Sequence, residues 1–382
     1  MHNFEIIYKW GCDGSSGKAQ YKQRYFFVNT TNDVCDGDLF LFSLVPLQLQ
    51  CNVENNKIVL WKNPRPSSTR FCRPIKYKFK KATAQTTLEE LKIVEDQIKS
   101  IVPITIKIDD NNLNVKHTLV FTMIDGKVCN SVSNTSSQTY YICGSSPKNM
   151  NNIDSIQVKY IENTKHFGFG LSTLHAWIRF LECILHISYR LEIKAWQIKS
   201  PENKVNFNNR KKMIQNKFKS ELGLLVEIVL QGTTNDGNTA RRFFKNCEKS
   251  SEITGVDLNL IKRFGTILKS MASGYEININ AFQQYTMDTA KLYVKLYPWY
   301  YMPASLHKIL IHGATVIESA LLPIEEAQEA RNEDYKNYRE HHSRKISRLA
   351  QNEDVLHFLL LSSDPYIFSI RNTPKKKKDV VG

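Results

Sequence analysis

With 382 residues the chain can bury a large core, and 42% hydrophobic with 23% charged residues is ordinary for a soluble globular protein. Lys and Arg number 52 against 37 Asp and Glu, a formal charge of +15 that favours polyanionic partners, because neutralising phosphates releases condensed counterions. Eight cysteines scattered without a Cys-x-x-Cys pair argue against a disulfide framework, no secretory signal is visible, and no apolar run approaches a membrane span.

In chain order, β-branched and aromatic enrichment between turn clusters predicts strands over 3–11, 23–28, 38–47, 57–61, 71–79, 103–108 and 116–124. One helix interrupts them, from Thr86 through Ile101, with Leu88, Leu91, Val94, Ile98 and Ile101 at helical spacing. A segment rich in Ser and Asn, 129–165, reads as loop. From about Leu171 the pattern turns helical: a long first helix carries Leu174, Ile178, Leu181, Ile184, Leu185 and Ile187, and others are expected near 209–230, 238–247, 256–272, 279–296 and 303–322. A last helix, about 325–349, begins with acids and ends with bases, the order a helix dipole favours. Strands first and helices later predict an α+β core carrying a mostly helical insertion. The tail Lys375-Lys376-Lys377-Lys378 reads either as a solvated end or as a nuclear-import or DNA-contact segment.

Two of the expected strands run into the same dipeptide, Asp13-Gly14 and Asp125-Gly126. Strands deliver side chains accurately to a sheet edge, so two such carboxylates could share divalent metal with a third acid from the Glu325, Glu326, Glu329 and Glu333 helix. Magnesium is a hard ion that prefers carboxylate oxygen, and two ions can activate an attacking oxygen and stabilise the leaving one at phosphorus. Asp-Gly after a strand is also an everyday turn, and the glutamates alone also read as a solvated helix face.

The surrounding residues narrow this. Gly11-Cys12-Asp13-Gly14-Ser15-Ser16-Gly17, with Tyr21-Lys22-Gln23 just after, resembles the first-aspartate segment of Transib DNA transposases, relatives of the catalytic subunit of the vertebrate V(D)J recombinase. Thr122-Met123-Ile124-Asp125-Gly126-Lys127-Val128-Cys129-Asn130 resembles the family's second-aspartate segment, and Glu326-Ala327-Gln328-Glu329-Ala330-Arg331-Asn332 its glutamate segment. Phe167-Gly168-Phe169-Gly170-Leu171-Ser172, Thr234 through Phe244 and Leu306 through Gly313 are similar to further family blocks, so the resemblance runs from about residue 8 to 370.

That resemblance implies a ribonuclease-H-like mixed sheet carrying Asp13 and Asp125, with Glu329 as the third acid and two Mg²⁺ or Mn²⁺ ions as cofactor. It implies cut-and-paste chemistry: nicking beside terminal inverted repeats, hairpin formation by the freed 3′-hydroxyl, and strand transfer into target DNA. It divides the chain into 1–128, the β-rich first part of the catalytic core; 129–165, a loop with a zinc-binding segment; 166–322, the helical insertion; 323–350, the helix closing the site; and 351–382, a segment with the basic tail. A nuclear homodimer on double-stranded DNA, without a membrane, goes with it.

His307 and His312, five apart on an expected apolar helix, read on spacing alone as ordinary helix histidines or as ligands. In the family this pair binds structural Zn²⁺ with a Cys-x-x-Cys pair after the second aspartate. Here Cys143 fits the second cysteine, but Tyr140 stands where the first belongs. Three ligands remain where zinc wants four N or S donors, leaving water, Cys129 or no metal at all as the ways to finish the set. The Pro323-Ile324-Glu325 approach to Glu329 is shorter than the family's, and no inverted-repeat-binding region precedes Asp13. The expectation is therefore a truncated or partly degenerate transposase copy, or else an inactive or domesticated DNA-binding derivative.

For DNA contact the candidates are Lys336, Arg339, Arg344, Lys345 and Arg348 on the helix after Glu329, and Arg241 with Arg242 behind the Asp236-Gly237-Asn238 turn. Tyr297-Pro298-Trp299-Tyr300-Tyr301 reads as core packing or, from the resemblance, as a place where Trp299 stacks on an extruded base.

Overall fold

The first strand, β1, runs over Asn3–Ser15, and its partner β2 spans Leu39–Val53. Phe40, Leu41 and Phe42 are all buried, so β2 is covered on both faces at this point. β1 and β2 pair antiparallel with Asp13 directly opposite Leu41, and an irregularity falls between Ile7 and Tyr8. Strands β3 (Asn56–Lys62) and β4 (Arg73–Lys78) also pair with β2, while β5 (Ile104–Ile108) and β6 (Asn111–Ile124) form a hairpin. The result is a mixed six-stranded sheet of order β3-β2-β1-β6-β5, with β4 against β2, and the fold class is α+β.

The computed structural model describes residues 3–15, 38–53, 56–124, 126–135, 139–154, 171–227, 235–320 and 326–370. The chain divides into two compact units, one built from 1–121 together with 326–382, the other from 122–325.

In the first unit the Ala84–Lys99 helix starts where Thr83 accepts a hydrogen bond from the Thr86 amide, and it buries Leu91 and Val94. Its buried Glu90 holds Lys76 and Lys78 of β4 at 2.6 and 2.5 Å. Leu39 and Leu41 of β2 pack with Tyr335, Val355 and Leu359, which come from the Glu326–Asn337 and Arg348–Ser362 helices. Residues opposite one another in an antiparallel pair share a face. Asp13 therefore lies on the sheet face that the Glu326–Asn337 helix covers.

In the second unit the Thr173–Tyr189 helix is apolar nearly all round, as a central helix must be. Trp177 meets Phe244, Phe180 meets Phe264, and Phe264 stacks on Tyr293, which ties in the Gly237–Lys245, Leu258–Ala272 and Ile279–Leu296 helices.

Several expected boundaries move. β1 does not stop at Asp-Gly: Gly14 and Ser15 still pair with Phe40 and Leu39, so the first Asp-Gly is not a turn. The 129–165 segment opens on a helix, Gly126–Ser133. The helix expected near 209–230 is Pro201–Leu222, started by Ser200 and Pro201 and stopped by Gly223 at φ 60°. The 303–322 stretch is two helices, Ala304–Leu310 and Gly313–Ala320. The 325–349 stretch is Glu326–Asn337, a π-helical turn over Tyr338–His342, and then a new helix from Arg348 capped by Ser347. The expected strand 23–28 lies outside the described residues.

Candidate functional site

Asp13 sits two residues from the end of β1, half-buried beside the fully buried Cys12. Asn332 Nδ2 donates to its Oδ2 at 2.6 Å, which joins the strand to the Glu326–Asn337 helix. Glu329 lies on that helix one turn before Asn332. The Glu329 side chain, and Asp125 altogether, lie outside the described residues.

The glutamate helix is held by polar groups more than by apolar ones. Gln328 donates to the carbonyl of Leu41, the residue opposite Asp13, at 3.3 Å. Arg331, with no exposed surface, donates to the Thr69 carbonyl, to Ser362 Oγ at 2.7 Å and to Asp334 at 3.3 Å. Gln328, Arg331, Asn332 and Tyr335 make one face at i, i+3, i+4 and i+7 spacing, all buried. The missed signal was that stripe: a buried face written in polar residues escapes a search for apolar periodicity.

In the second unit Cys143, His307 and His312 converge. On one uninterrupted helix, residues five apart would point about 140° from one another. The break at Ile311–His312 removes that divergence and brings the two Nε2 atoms to 3.2 Å. Cys143 Sγ lies 3.3 Å from His307 Nε2, and the three ligand atoms all fall within 4.8 Å. Bond lengths to tetrahedral zinc would set such N–N and N–S separations at about 3.3–3.6 Å.

Burial lowers His307 to about 4, while burial and the neighbouring His307 lower His312 to about 3. Both rings are thus neutral at physiological pH, the form that ligates metal. These three buried side chains can hold a metal ion. Among the described residues no fourth His, Cys, Asp or Glu joins them, so Cys129, although buried, is not part of the set.

Cys143 sits on a tight turn, with the Gly144 amide donating to the Tyr140 carbonyl at 2.8 Å and the Tyr140 amide to the Ser145 carbonyl at 2.9 Å. Gly144 takes φ +66°, a conformation that suits glycine. The buried Tyr140 ring stands edge-on to His307 and stacks on His312, with centroids 5.4 and 5.3 Å away. Burial raises its phenol well above the ordinary value, so it stays neutral.

No protein-family model matches this chain, and no curated protein matches it. The site rests on its own residues.

A cavity of about 660 Å³ in the second unit is lined by Ile124 and Gly126, on either side of Asp125, and by Arg179, Trp196, Tyr300 and Lys308. The candidate DNA contacts fare unevenly. Arg241 lies over the Trp177 ring at 5.9 Å, and the exposed Arg242 donates to the Leu222 carbonyl at 2.8 Å. Trp299 is half-buried and edge-on to Tyr297 and Tyr300, a packing contact on both sides.

The bases after Glu329 do not share one helix. Lys336 is exposed on the glutamate helix, whereas Arg339 is buried, its guanidinium over Phe79. Arg344 pairs with Asp354 at 2.8 Å, Lys345 donates to the Arg339 carbonyl, and Arg348 opens the next helix. The row expected from sequence is divided because Arg339 turns inward and the chain leaves helical geometry after His342.

Proposed function

We propose that this chain is the catalytic region of a Transib-type cut-and-paste DNA transposase, with a ribonuclease-H-like sheet interrupted by the helical unit 122–325. The observation that carries the reading is the Asn332–Asp13 hydrogen bond. It couples the end of a central strand to the helix that bears Glu329, the juxtaposition a strand-and-helix acid site needs. The neighbour of β1 on its other side is β6, which ends one residue before Asp125.

Asp13, Asp125 and Glu329 would hold two Mg²⁺ or Mn²⁺ ions, which when bound supply activation of the attacking oxygen and stabilisation of the leaving one. The chain's own part is placement. Asn332 fixes one Asp13 oxygen, Gln328 and Arg331 dock the helix, and the +15 charge draws the polyanion in. Nicking, hairpin formation and strand transfer are each attack of an oxygen nucleophile on a phosphodiester, so one site serves all three. Zinc at Cys143, His307 and His312 is structural in this reading. A nuclear dimer on terminal inverted repeats completes it.

A second reading, a DNA-binding derivative that no longer cuts, is favoured by one observation: Tyr140 fills the corner beside the histidines where a thiolate would close the metal set. Manganese-dependent nicking of supercoiled plasmid separates the two. Nicking by wild type that vanishes in Asp13→Asn and Glu329→Gln supports the nuclease. A folded, DNA-binding wild type that leaves the plasmid intact supports the derivative.

A further inference from the structure

Asn332 is 5% exposed on a helix with few apolar residues, and its amide reaches across to a carboxylate on another element. The chemistry of that pairing is selective. A lysine or arginine at 332 would neutralise Asp13 and compete with any cation there, and an aspartate would repel it. An amide holds one carboxylate oxygen without adding a charge of its own, so it does not neutralise the group that would meet a cation.

We infer that Asn332 is a positioning residue: it fixes the Asp13 carboxylate and registers it against the helix that carries Glu329 before a cation arrives. The purpose of this device rests on the nuclease reading; its geometry does not. Gln328 and Arg331 grip the Leu41 and Thr69 carbonyls independently of Asp13. Removing the Asn332 amide therefore leaves the helix two of its anchors while it takes away this hold on the carboxylate, so metal affinity is lost more than fold.

The test uses the full chain and Mn²⁺, with bound metal measured by electron paramagnetic resonance and nicking followed across a Mn²⁺ series. Asn332→Ala is expected to weaken the Asp13-dependent Mn²⁺ site about 10–100-fold, the usual effect of losing a group that orients a ligand. Half-maximal nicking moves to higher Mn²⁺ by the same factor, while the rate at saturating metal falls less. In an Asp13→Asn background Asn332→Ala changes neither Mn²⁺ binding nor nicking. Asn332→Asp places a like charge against Asp13, so its melting temperature drops in chelator and recovers with Mn²⁺.

Should Asn332→Ala fail to fold, Asn332→Ser keeps a smaller polar side chain and is read the same way. Wild-type Mn²⁺ dependence in Asn332→Ala, or an equal effect of that change without Asp13, overturns the inference. A wild type that binds Mn²⁺ through Asp13 but never nicks sinks the nuclease reading, with the positioning role still decided by the resonance titration. Absence of any Asp13-dependent Mn²⁺ site overturns both.

Discussion

Replacing Tyr140 with cysteine tests the metal centre most directly, because it sets a packing loss against a ligand gain. The Tyr140 ring is buried and touches both imidazoles, so truncating it without metal leaves a cavity and costs about 3–5 kcal/mol, the range for large buried aromatics. With zinc much of that loss is offset. His307 already stands at 3.3 Å from Cys143 and 3.2 Å from His312, near the separations of ligands on one tetrahedral zinc, and a thiolate at 140 would supply a fourth donor. Completing the fourth corner should tighten zinc at least about 100-fold, worth about 2.7 kcal/mol of added stability in excess metal.

The prediction is thus a zinc-dependent narrowing of the gap in thermal unfolding. In a chelator Tyr140→Cys melts well below wild type, and in excess zinc most of that gap closes. His312→Ala, by contrast, gains little from zinc. Competition against a chromophoric chelator gives the affinities themselves. Equal zinc affinity in wild type and Tyr140→Cys would refute the reasoning about the fourth corner. Undiminished affinity in His312→Ala would show that zinc binds elsewhere.

Glu227 gives a pH test. Burial pushes its carboxyl up, but hydrogen bonds from His186 and Lys211, each at 2.9 Å, outweigh it and hold the group at about 2 against an ordinary 4.5. A depressed folded-state value means stability present above pH 4.5 and lost as pH falls toward 2. After discounting for the solvent exposure of His186 this is about 2–3 kcal/mol, and Glu227→Gln should flatten that acid limb of the melting curve. Arg331→Met leaves the Thr69 carbonyl and Ser362 without their buried donor, and should lower the urea midpoint by the equivalent of about 3 kcal/mol or more. Gly14→Ala drives a new Cβ into the Ala82 Cβ; a loss of about 1–3 kcal/mol is expected in urea unfolding, with Ala82→Gly in the same chain restoring most of it.

What the sequence made legible follows from the kind of signal each element carries. β1, β2 and β6 announce themselves because β-branched and aromatic residues serve the sheet locally and in the core at once. The Thr173–Tyr189 helix is equally plain, since its apolar residues face a core on nearly every side. The breaks were harder. A periodic pattern carries through Ile311 and His312 without interruption, yet Gly313 opens a new helix there, and that change of direction is what lets His307 and His312 meet. Ser200-Pro201 and Ser347 are start signals that the expected boundaries, 209–230 and 325–349, pass over. Asn332 could not have been found by hydrophobic pattern, because its partner is 319 residues away in sequence.

The basic residues carry the same lesson into function. A run of five bases after Glu329 looks in sequence like a track for phosphates, and each independent phosphate contact would add about 0.9 to the salt dependence of DNA binding. Folding spends part of that charge inside the protein. Arg339 turns under Phe79 beside the Tyr335 hydroxyl, where it supports the helix holding Glu329, and Arg344 forms a bidentate pair with Asp354. A guanidinium buried in this way sets the position of its helix and cannot at the same time reach a duplex. Net charge therefore bounds the long-range attraction of a polyanion to this chain, while the number of phosphates gripped depends on which bases the fold leaves outside, with Lys336 and Arg242 exposed and Arg339 withdrawn.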